Sequence, residues 1–217
     1  MKYVKMLGLA VVAAAALMAF VGAGTASATG VLCSTTTGEA ACPAAQRWAV
    51  GTVIHMTLEE SLKTATTGGI TASTCTEATV TGTITTNTGG ATTATSVNEV
   101  ISWGTVATPC TKTATTVALG KLKFDRIAGT SNGTVTADEE IKVTTTGLFS
   151  GETCNYGVTA GTSLGTLTEG KPATFDLNAD VIKLAGHTCT FGPQTTKWTG
   201  KYTVTSPATT TLSVSSS

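Results

Sequence analysis

The pentapeptide Gly161–Gly165 carries the residues that could do hydrolytic chemistry. Its sequence matches G-x-S-x-G, in which a sharp strand-to-helix turn exposes a serine nucleophile. An aspartate, Asp176 or Asp180, and then His187 follow Ser163 in the chain order that such hydrolases use. The sequence predicts no helix after the serine, however, and a chain with 24 glycines meets this pattern easily. We therefore predict a protein that is not an enzyme and has no catalytic residues, with a secreted serine hydrolase as a remote alternative.

Asp176, Asn178 and Asp180 could ligate calcium, because their spacing matches the opening D-x-[DN]-x-[DN] of a calcium-binding loop. Such loops also need a glycine at the sixth position and an acid at the twelfth. Those positions are Val181 and His187, so the loop pattern fails. On a strand the three polar side chains would share one solvated face, where acids from a neighbouring strand could complete a surface Ca²⁺ site. We predict no cofactor and no metal ligands, and the surface Ca²⁺ stays an open alternative.

Trp48, Trp103 and Trp198 are the three tryptophans of the chain. Large aromatic side chains usually fill a β-protein core, whereas exposed ones can stack on sugar rings. The core interpretation is favoured for all three. Trp103 and Trp198 are kept as candidate ligand-binding residues, since their exposure would indicate a binding module.

The N-terminus has the three parts of a secretory signal peptide. Lys2 and Lys5 form a positive region, Leu7–Val21 is apolar, and Ala26–Ala28 is an A-x-A cleavage site. The apolar run is short for a membrane span, which needs about 20 residues, and no later segment reaches that length. We predict export, a mature chain that begins near Thr29 and no remaining transmembrane anchor. An uncleaved N-terminal anchor is the alternative.

Export decides how the cysteines are interpreted. Exported proteins meet oxidising conditions, where an even number of cysteines indicates disulfides. Metal binding is disfavoured, because no pair has C-x2-C spacing and the chain has only 2 histidines. The cysteines of the mature chain are Cys33, Cys42, Cys75, Cys110, Cys154 and Cys189.

An internal repeat indicates how these cysteines pair. Cys75 and Cys110 are 35 positions apart, and so are Cys154 and Cys189. A shift of 79 residues also aligns glycine and acid positions, and a further slip of one residue aligns Gly120-Lys121 with Gly200-Lys201. A tandem duplication in which each copy closes its own disulfide loop accounts for the pattern. The remaining pair, Cys33–Cys42, would form a local N-terminal clip.

The predicted organisation follows from these features. It comprises a signal peptide at 1–28, an N-terminal segment with the clip and a first strand at 29–56, β repeat 1 at 57–130, β repeat 2 at 136–210, and a Ser-rich tail at 211–217.

Composition favours β-structure throughout. Threonine accounts for 50 of 217 residues, whereas charged residues make up 12%. β-Branched residues such as threonine and valine fit a pleated strand. Residues 175–181 alternate apolar and polar side chains with a period of two, and glycine-rich turn clusters separate such segments. We predict an all-β, disulfide-stapled β-sandwich. The zero net charge excludes a basic nucleic-acid-binding face.

Two segments resemble secreted bacterial proteins. Cys75–Ile84, Asn87–Ala91 and Cys110 together resemble proteins of the alkane-oxidation-activator type (PraB-like), whose pattern is a cysteine, a T-x-T-G-rich strand, a glycine turn and a second cysteine. Trp198–Pro207 is similar to the endings of uncharacterised secreted actinobacterial β-proteins. The resemblance implies export and a cell-surface or matrix association, and it supplies no catalytic residues.

We expect an exported, non-enzymatic structural or adhesion protein of the cell surface or extracellular matrix, with an unknown partner. The threonine-rich strand faces motivate this expectation, since rows of hydroxyls can order water or meet a polymer. A module that binds carbohydrate or a hydrophobic ligand is the main alternative.

Overall fold

The computed structural model describes residues 30–38, 40–88, 95–102, 113–118, 120–146, 152–185, 189–190, 192–207 and 210–216. This part of the chain is all-β, as predicted, with one short 3-10 helix at Ala44–Gln46. Its strands are β1 (Gly30–Cys33), β2 (Val53–Leu58), β3 (Leu62–Thr66), β4 (Thr71–Cys75), β5 (Thr79–Ile84), β6 (Thr95–Ser102), β7 (Thr113–Ala118), β8 (Lys121–Arg126), β9 (Gly133–Ala137), β10 (Ile141–Thr146), β11 (Thr153–Val158), β12 (Ser163–Thr168), β13 (Thr174–Lys183), β14 (Thr195–Ser206) and β15 (Ser213–Ser216).

Eight antiparallel strands form a closed ring. The hydrogen-bonded order is β2-β5-β6-β8-β9-β12-β13-β14, and β14 then pairs with β2. Pairing is continuous around this ring among the described strands. The predicted division into the two separate sheets of a sandwich is therefore not confirmed.

Alternation along each strand positions the core. In β2 the side chains of Ile54, Met56 and Leu58 are buried, whereas His55 and Thr57 between them are exposed. The ring strands β5, β8, β9, β12, β13 and β14 also contribute buried apolar residues, so the inside of this part of the ring is apolar. The threonines between these positions face outward, because successive side chains of a strand point to opposite sides.

Two hairpins extend the ring. The β3–β4 hairpin pairs with the N-terminal part of β14, and the β10–β11 hairpin pairs with β7 and with the end of β13. β13 and β14 are the longest strands, with 10 and 12 residues, and they belong both to the ring and to these extensions.

The two ends of the described chain pair with each other. β1 and β15 form a separate antiparallel ribbon that packs on β8, and its residues Leu32 and Val214 are fully buried in the main core. The segment predicted as a Ser-rich tail thus contains a buried strand. Leu212 and Val214 alternate with Ser213 and Ser215 there, and all four residues are buried.

Disulfides fasten this framework. Cys33–Cys42 and Cys154–Cys189 are bonded as predicted, with Cα–Cα distances of 6.0 and 4.8 Å. Cys75 is also disulfide-bonded, while Cys110, its predicted partner, lies outside the described residues. The predicted signal peptide at 1–28 lies outside them too. Among the residues that the structure describes, no helix is long and apolar enough to cross a membrane.

Strand pairings recur between the two predicted repeats. The β2–β5, β3–β4, β5–β6 and β6–β8 pairings correspond to β9–β12, β10–β11, β12–β13 and β13–β14. At the seams Leu122 pairs with Ala137, and the equivalent Tyr202 pairs with Leu58. This correspondence favours the tandem duplication, which stays a prediction. β2, at Val53–Leu58, crosses the predicted boundary between residues 56 and 57.

Candidate functional site

Ser163 does not stand in a nucleophile turn. It is the first residue of β12, pairs with Thr136 of β9, and is followed in the chain by another antiparallel strand, β13. Both glycines of the motif have a backbone conformation that other residues rarely adopt. Gly161 has φ +84°, and Gly165, with φ +149° at a register shift, has no room for a Cβ beside the backbone of Asp176. His187 lies outside the described residues.

Trp198 is a core residue. Only 5% of it is exposed, and its indole N–H donates to Thr196 Oγ1 at 2.9 Å. A surface platform for sugar stacking needs an exposed ring face, and the buried Trp198 has none. A role for Trp198 in binding a ligand at the surface is therefore not supported. Trp48 is half-buried and packs on the core. Trp103 lies outside the described residues.

Asp176, Asn178 and Asp180 share one exposed face of β13, as the alternation predicts. Their cross-strand neighbours on β14 are Lys201, Thr199 and Lys197 rather than further acids. Lys197 Nζ lies 3.9 Å from Asp180 Oδ1. Ammonium groups oppose a cation here, and the described part of the chain contains no group of three or more His, Cys, Asp or Glu side chains that could hold a metal ion.

A row of threonines crosses five neighbouring strands on the outside of the ring. Thr168, Thr174, Thr203, Thr57 and Thr79 are consecutive cross-strand partners on β12, β13, β14, β2 and β5. Thr57 and Thr79 are exposed, and the other three are half-buried, with the Oγ1 atom of Thr203 itself buried. Each lies beside a buried residue of its own strand. Neighbouring members are therefore spaced by the distance between strands, about 4.8 Å. We call these five residues the threonine row.

More polar side chains border the threonine row. Thr57 Oγ1 lies 3.5 Å from Thr205 Oγ1, and His55 Nδ1 lies 2.9 Å from Thr81 Oγ1. Because the row spans five of eight strands in a closed ring, its surface is convex. A rigid flat lattice could touch only part of it, whereas a single polymer chain could follow it.

An open groove lies where β14 changes partner. Lys63 of β3 pairs with Thr199, and Leu58 of β2 pairs with Tyr202, so β2 and β3 diverge between these positions. The groove there has a volume of about 340 Å³. Its lining consists of Glu60, Ser61, Lys63, Asp176, Leu177, Asn178, Thr199, Gly200 and Lys201.

An ion pair fixes one side of this groove. Lys201 Nζ lies 2.9 Å from Glu59 Oε2, and the Glu59 backbone N–H donates to the Lys201 carbonyl at 2.8 Å. The hydrogen bond from Lys201 lowers the pKa of the Glu59 carboxyl, and the same bond raises the pKa of the Lys201 ammonium. Both groups are therefore charged at neutral pH.

An apolar cavity of about 60 Å³ lies within the core. Leu122, Phe175, Leu177, Trp198 and Tyr202 contribute to its lining, together with further aliphatic residues. It is therefore a hydrophobic space that includes one of the predicted ligand-binding tryptophans.

The sequence reasoning did not single out the groove. Its residues come from β3, β13, β14 and the β2–β3 turn, which are distant in sequence. One signal was present, because the repeat aligns Gly120-Lys121 with Gly200-Lys201 and Glu60 with Glu139. Pairs of equivalent charged residues beside a glycine could have indicated two similar junctions.

Comparison with known proteins gives no relative to which this chain can be assigned. It matches no protein-family model, no curated protein and no solved structure. The resemblance to PraB-like and actinobacterial secreted proteins accordingly stays a prediction.

Proposed function

We propose that this protein is an exported, non-enzymatic structural or adhesion protein of the cell surface or extracellular matrix. The threonine row is the observation that carries the proposal. It aligns threonine side chains on five adjacent strands of a rigid ring, and those of Thr57 and Thr79 are exposed. A polysaccharide or another hydroxyl-rich polymer can exchange hydrogen bonds with such a row, since each hydroxyl both donates and accepts.

The framework suits a role outside the cell. Disulfides persist in oxidising compartments and stabilise a fold by restricting its unfolded chain. The described part of the chain contains no free cysteine. The A-x-A site directly precedes β1, so cleavage there would leave the mature N-terminus next to the first buried strand.

Cell fractionation and binding to extracellular polymer test the proposal together. The protein should occur in the cell envelope or medium with its N-terminus at Thr29, and it should be retained on isolated cell-wall or matrix polysaccharide. Replacing Thr57 and Thr79 with valine removes two exposed hydroxyls but preserves shape and strand propensity. Retention should fall in this double variant.

Thr134→Val with Thr136→Val is the matched control. Both threonines are half-buried, outward positions of the ring strand β9 and lie outside the threonine row. Equal retention of the two double variants and the unmodified protein would contradict the role of the threonine row. A cytoplasmic protein with reduced cysteines would overturn the proposal as a whole.

Binding of a hydrophobic ligand is the second candidate, and the apolar cavity is its only specific support among the described residues. The cavity of about 60 Å³ is well below the roughly 150 Å³ of a known cavity that takes up benzene. It would accept only a ligand of a few heavy atoms, so the polymer-contact function is favoured.

A further inference from the structure

The groove at the β2–β3 divergence gathers polar side chains with few partners of their own. Asp176 and Asn178 stand on its β13 side and Lys63 on its β3 side, and all three are exposed. Within the described part of the chain their side chains form no hydrogen bond and no salt bridge, although the Asp176 carboxylate attracts the Lys201 ammonium electrostatically. Their hydrogen-bonding groups are available to a ligand, whereas Lys201 is already held by Glu59.

The groove carries charges of both signs, and these restrict the ligand. Lys63 and Lys201 provide two ammonium groups. Glu60 and Asp176 provide two carboxylates, and Glu59, which pairs with Lys201, adds a third beside the groove. The ammonium groups would repel a metal cation, and the carboxylates would repel a phosphate or sulfate. A neutral, hydroxyl-rich ligand meets neither repulsion, because its hydroxyls can donate to a carboxylate and accept from an ammonium.

The size and lining of the groove suit a sugar. Its volume of about 340 Å³ lies within the range of small-ligand sites, roughly 300–1,000 Å³. Leu177 and Gly200 are the lining residues without a polar side chain, and the others are polar or charged. A pyranose ring likewise combines apolar C–H faces with a rim of hydroxyls.

We propose that this groove binds a short, neutral segment of a polysaccharide. Asp176 accepts hydrogen bonds from sugar hydroxyls, Asn178 both accepts and donates, and Lys63 donates. The inference deepens the proposed function and rests on it for the presence of a polysaccharide partner. It assigns the sugar contacts that determine specificity to the groove, while the threonine row extends the contact along the polymer.

The other repeat provides a matched control. There the Asp138 backbone N–H donates to the Lys121 carbonyl at 2.7 Å, as Glu59 does to Lys201, and Lys121 forms an ion pair with Glu139. Lys142 is the repeat equivalent of Lys63. The register position opposite Lys121 is occupied by Asn98, whereas Asp176 stands opposite Lys201. This second junction therefore lacks the carboxylate that the proposed site requires.

Titration of the full secreted protein with soluble oligosaccharides, followed by NMR, tests the site. The probes are neutral hexasaccharides of glucose, mannose and N-acetylglucosamine, and an acidic hexasaccharide of galacturonic acid, at millimolar concentrations. At least one neutral probe should shift the amide signals of Asp176, Asn178 and Lys63. Asp176→Ala should weaken its Kd about tenfold, the effect of one hydrogen bond to a charged group. Lys142→Ala should leave Kd unchanged.

Each other outcome overturns the inference. These outcomes are the absence of shifts with every neutral probe, preferential binding of the acidic probe, and equal weakening by Asp176→Ala and Lys142→Ala. The circular dichroism spectrum of each variant shows that it is folded, which is expected because Asp176 is exposed and Lys142 is only half-buried. If the threonine variants lose polymer retention and the groove variants do not, the proposed function stands and only the groove assignment fails.

Discussion

Asn87 holds the N-terminal strand against the ring. Its side chain is buried, and its Oδ1 accepts the Leu32 N–H at 2.8 Å. Its Nδ2 donates to the carbonyls of Leu32 and Trp48, both at 2.8 Å. Leu32 lies in β1, so the Asn87 amide pairs with both backbone groups of Leu32 on the edge of β1 that β15 does not cover, and the Trp48 N–H shares the Leu32 carbonyl.

Asn87→Ala should therefore destabilise the protein strongly. The Leu32 N–H is fully buried and would lose this partner, which costs about 1–3 kcal/mol. The Leu32 carbonyl retains the Trp48 N–H at 3.1 Å, and the half-buried Trp48 carbonyl can reach water, so these add roughly 1 kcal/mol. We expect a total loss of about 3 kcal/mol and a Tm lowered by about 6–12 °C for a chain of this size.

Urea denaturation with the disulfides intact, followed by tryptophan fluorescence, measures this loss. Asn178→Ala is the control, because Asn178 is exposed and should change the free energy of unfolding by less than about 0.5 kcal/mol. If Asn87→Ala were no more destabilising than Asn178→Ala, the hydrogen bonds of the Asn87 side chain would not be what holds β1. The account of how the N-terminal strand is held would then be refuted.

Replacing both cysteines of Cys154–Cys189 with serine should lower the free energy of unfolding by about 4 kcal/mol, because the bond closes a loop with a separation of 35 residues. Urea denaturation checks this, and a loss below about 1 kcal/mol would argue against it. Gly165→Ala should destabilise far more than Gly51→Ala, because an added Cβ would lie 1.9 Å from a backbone oxygen of β13 at Gly165 and in open space at Gly51. Equal Tm values for the two variants would contradict the close approach. Burial raises the pKa of Tyr156 from 10.0 to about 12, because the folded protein favours the neutral phenol. The contribution of this phenol to the free energy of unfolding is therefore complete below pH 10 and is lost as the pH rises towards 12. Tyr156→Phe should remove this part of the alkaline loss, and an identical pH profile of stability would disprove it.

Strands with one solvent-exposed face were predictable from the sequence, whereas strands buried on both faces were not. β13 alternates apolar and polar residues, and the structure places it at Thr174–Lys183, within two residues of the predicted 175–181 at either end. β1 is buried at every residue and β11 at all but its first, so neither has the period of two that reveals a strand. The closed ring was also beyond prediction, because alternation is the same in an open and in a closed sheet.

The threonine row and the groove were also only partly predictable from the sequence. Alternation predicted that threonines would face outward, as Thr57 and Thr203 do. Their position side by side depends on the pairing of β2 with β14, which local sequence does not encode. The groove likewise requires Lys63 and Asp176 to meet across β14 from different halves of the chain. The sequence thus predicted which side chains face outward, but it did not predict which residues lie beside them on neighbouring strands.

The ring makes each repeat depend on the other. Each half contributes four ring strands, β2, β5, β6 and β8 from one and β9, β12, β13 and β14 from the other, joined at the β8–β9 and β14–β2 seams. The β3–β4 hairpin of the first half also pairs with β14 of the second, and the β10–β11 hairpin of the second half pairs with β7 of the first.

Either half alone would therefore expose two strand edges and the apolar inside of the ring, which is unfavourable in water. We expect residues 30–130 and 131–217, expressed separately, to lack cooperative thermal unfolding by circular dichroism. An equimolar mixture under oxidising conditions should recover it. Cooperative unfolding of one half by itself would show that a repeat closes its own core, and the interlocked ring would then not be what stabilises the fold.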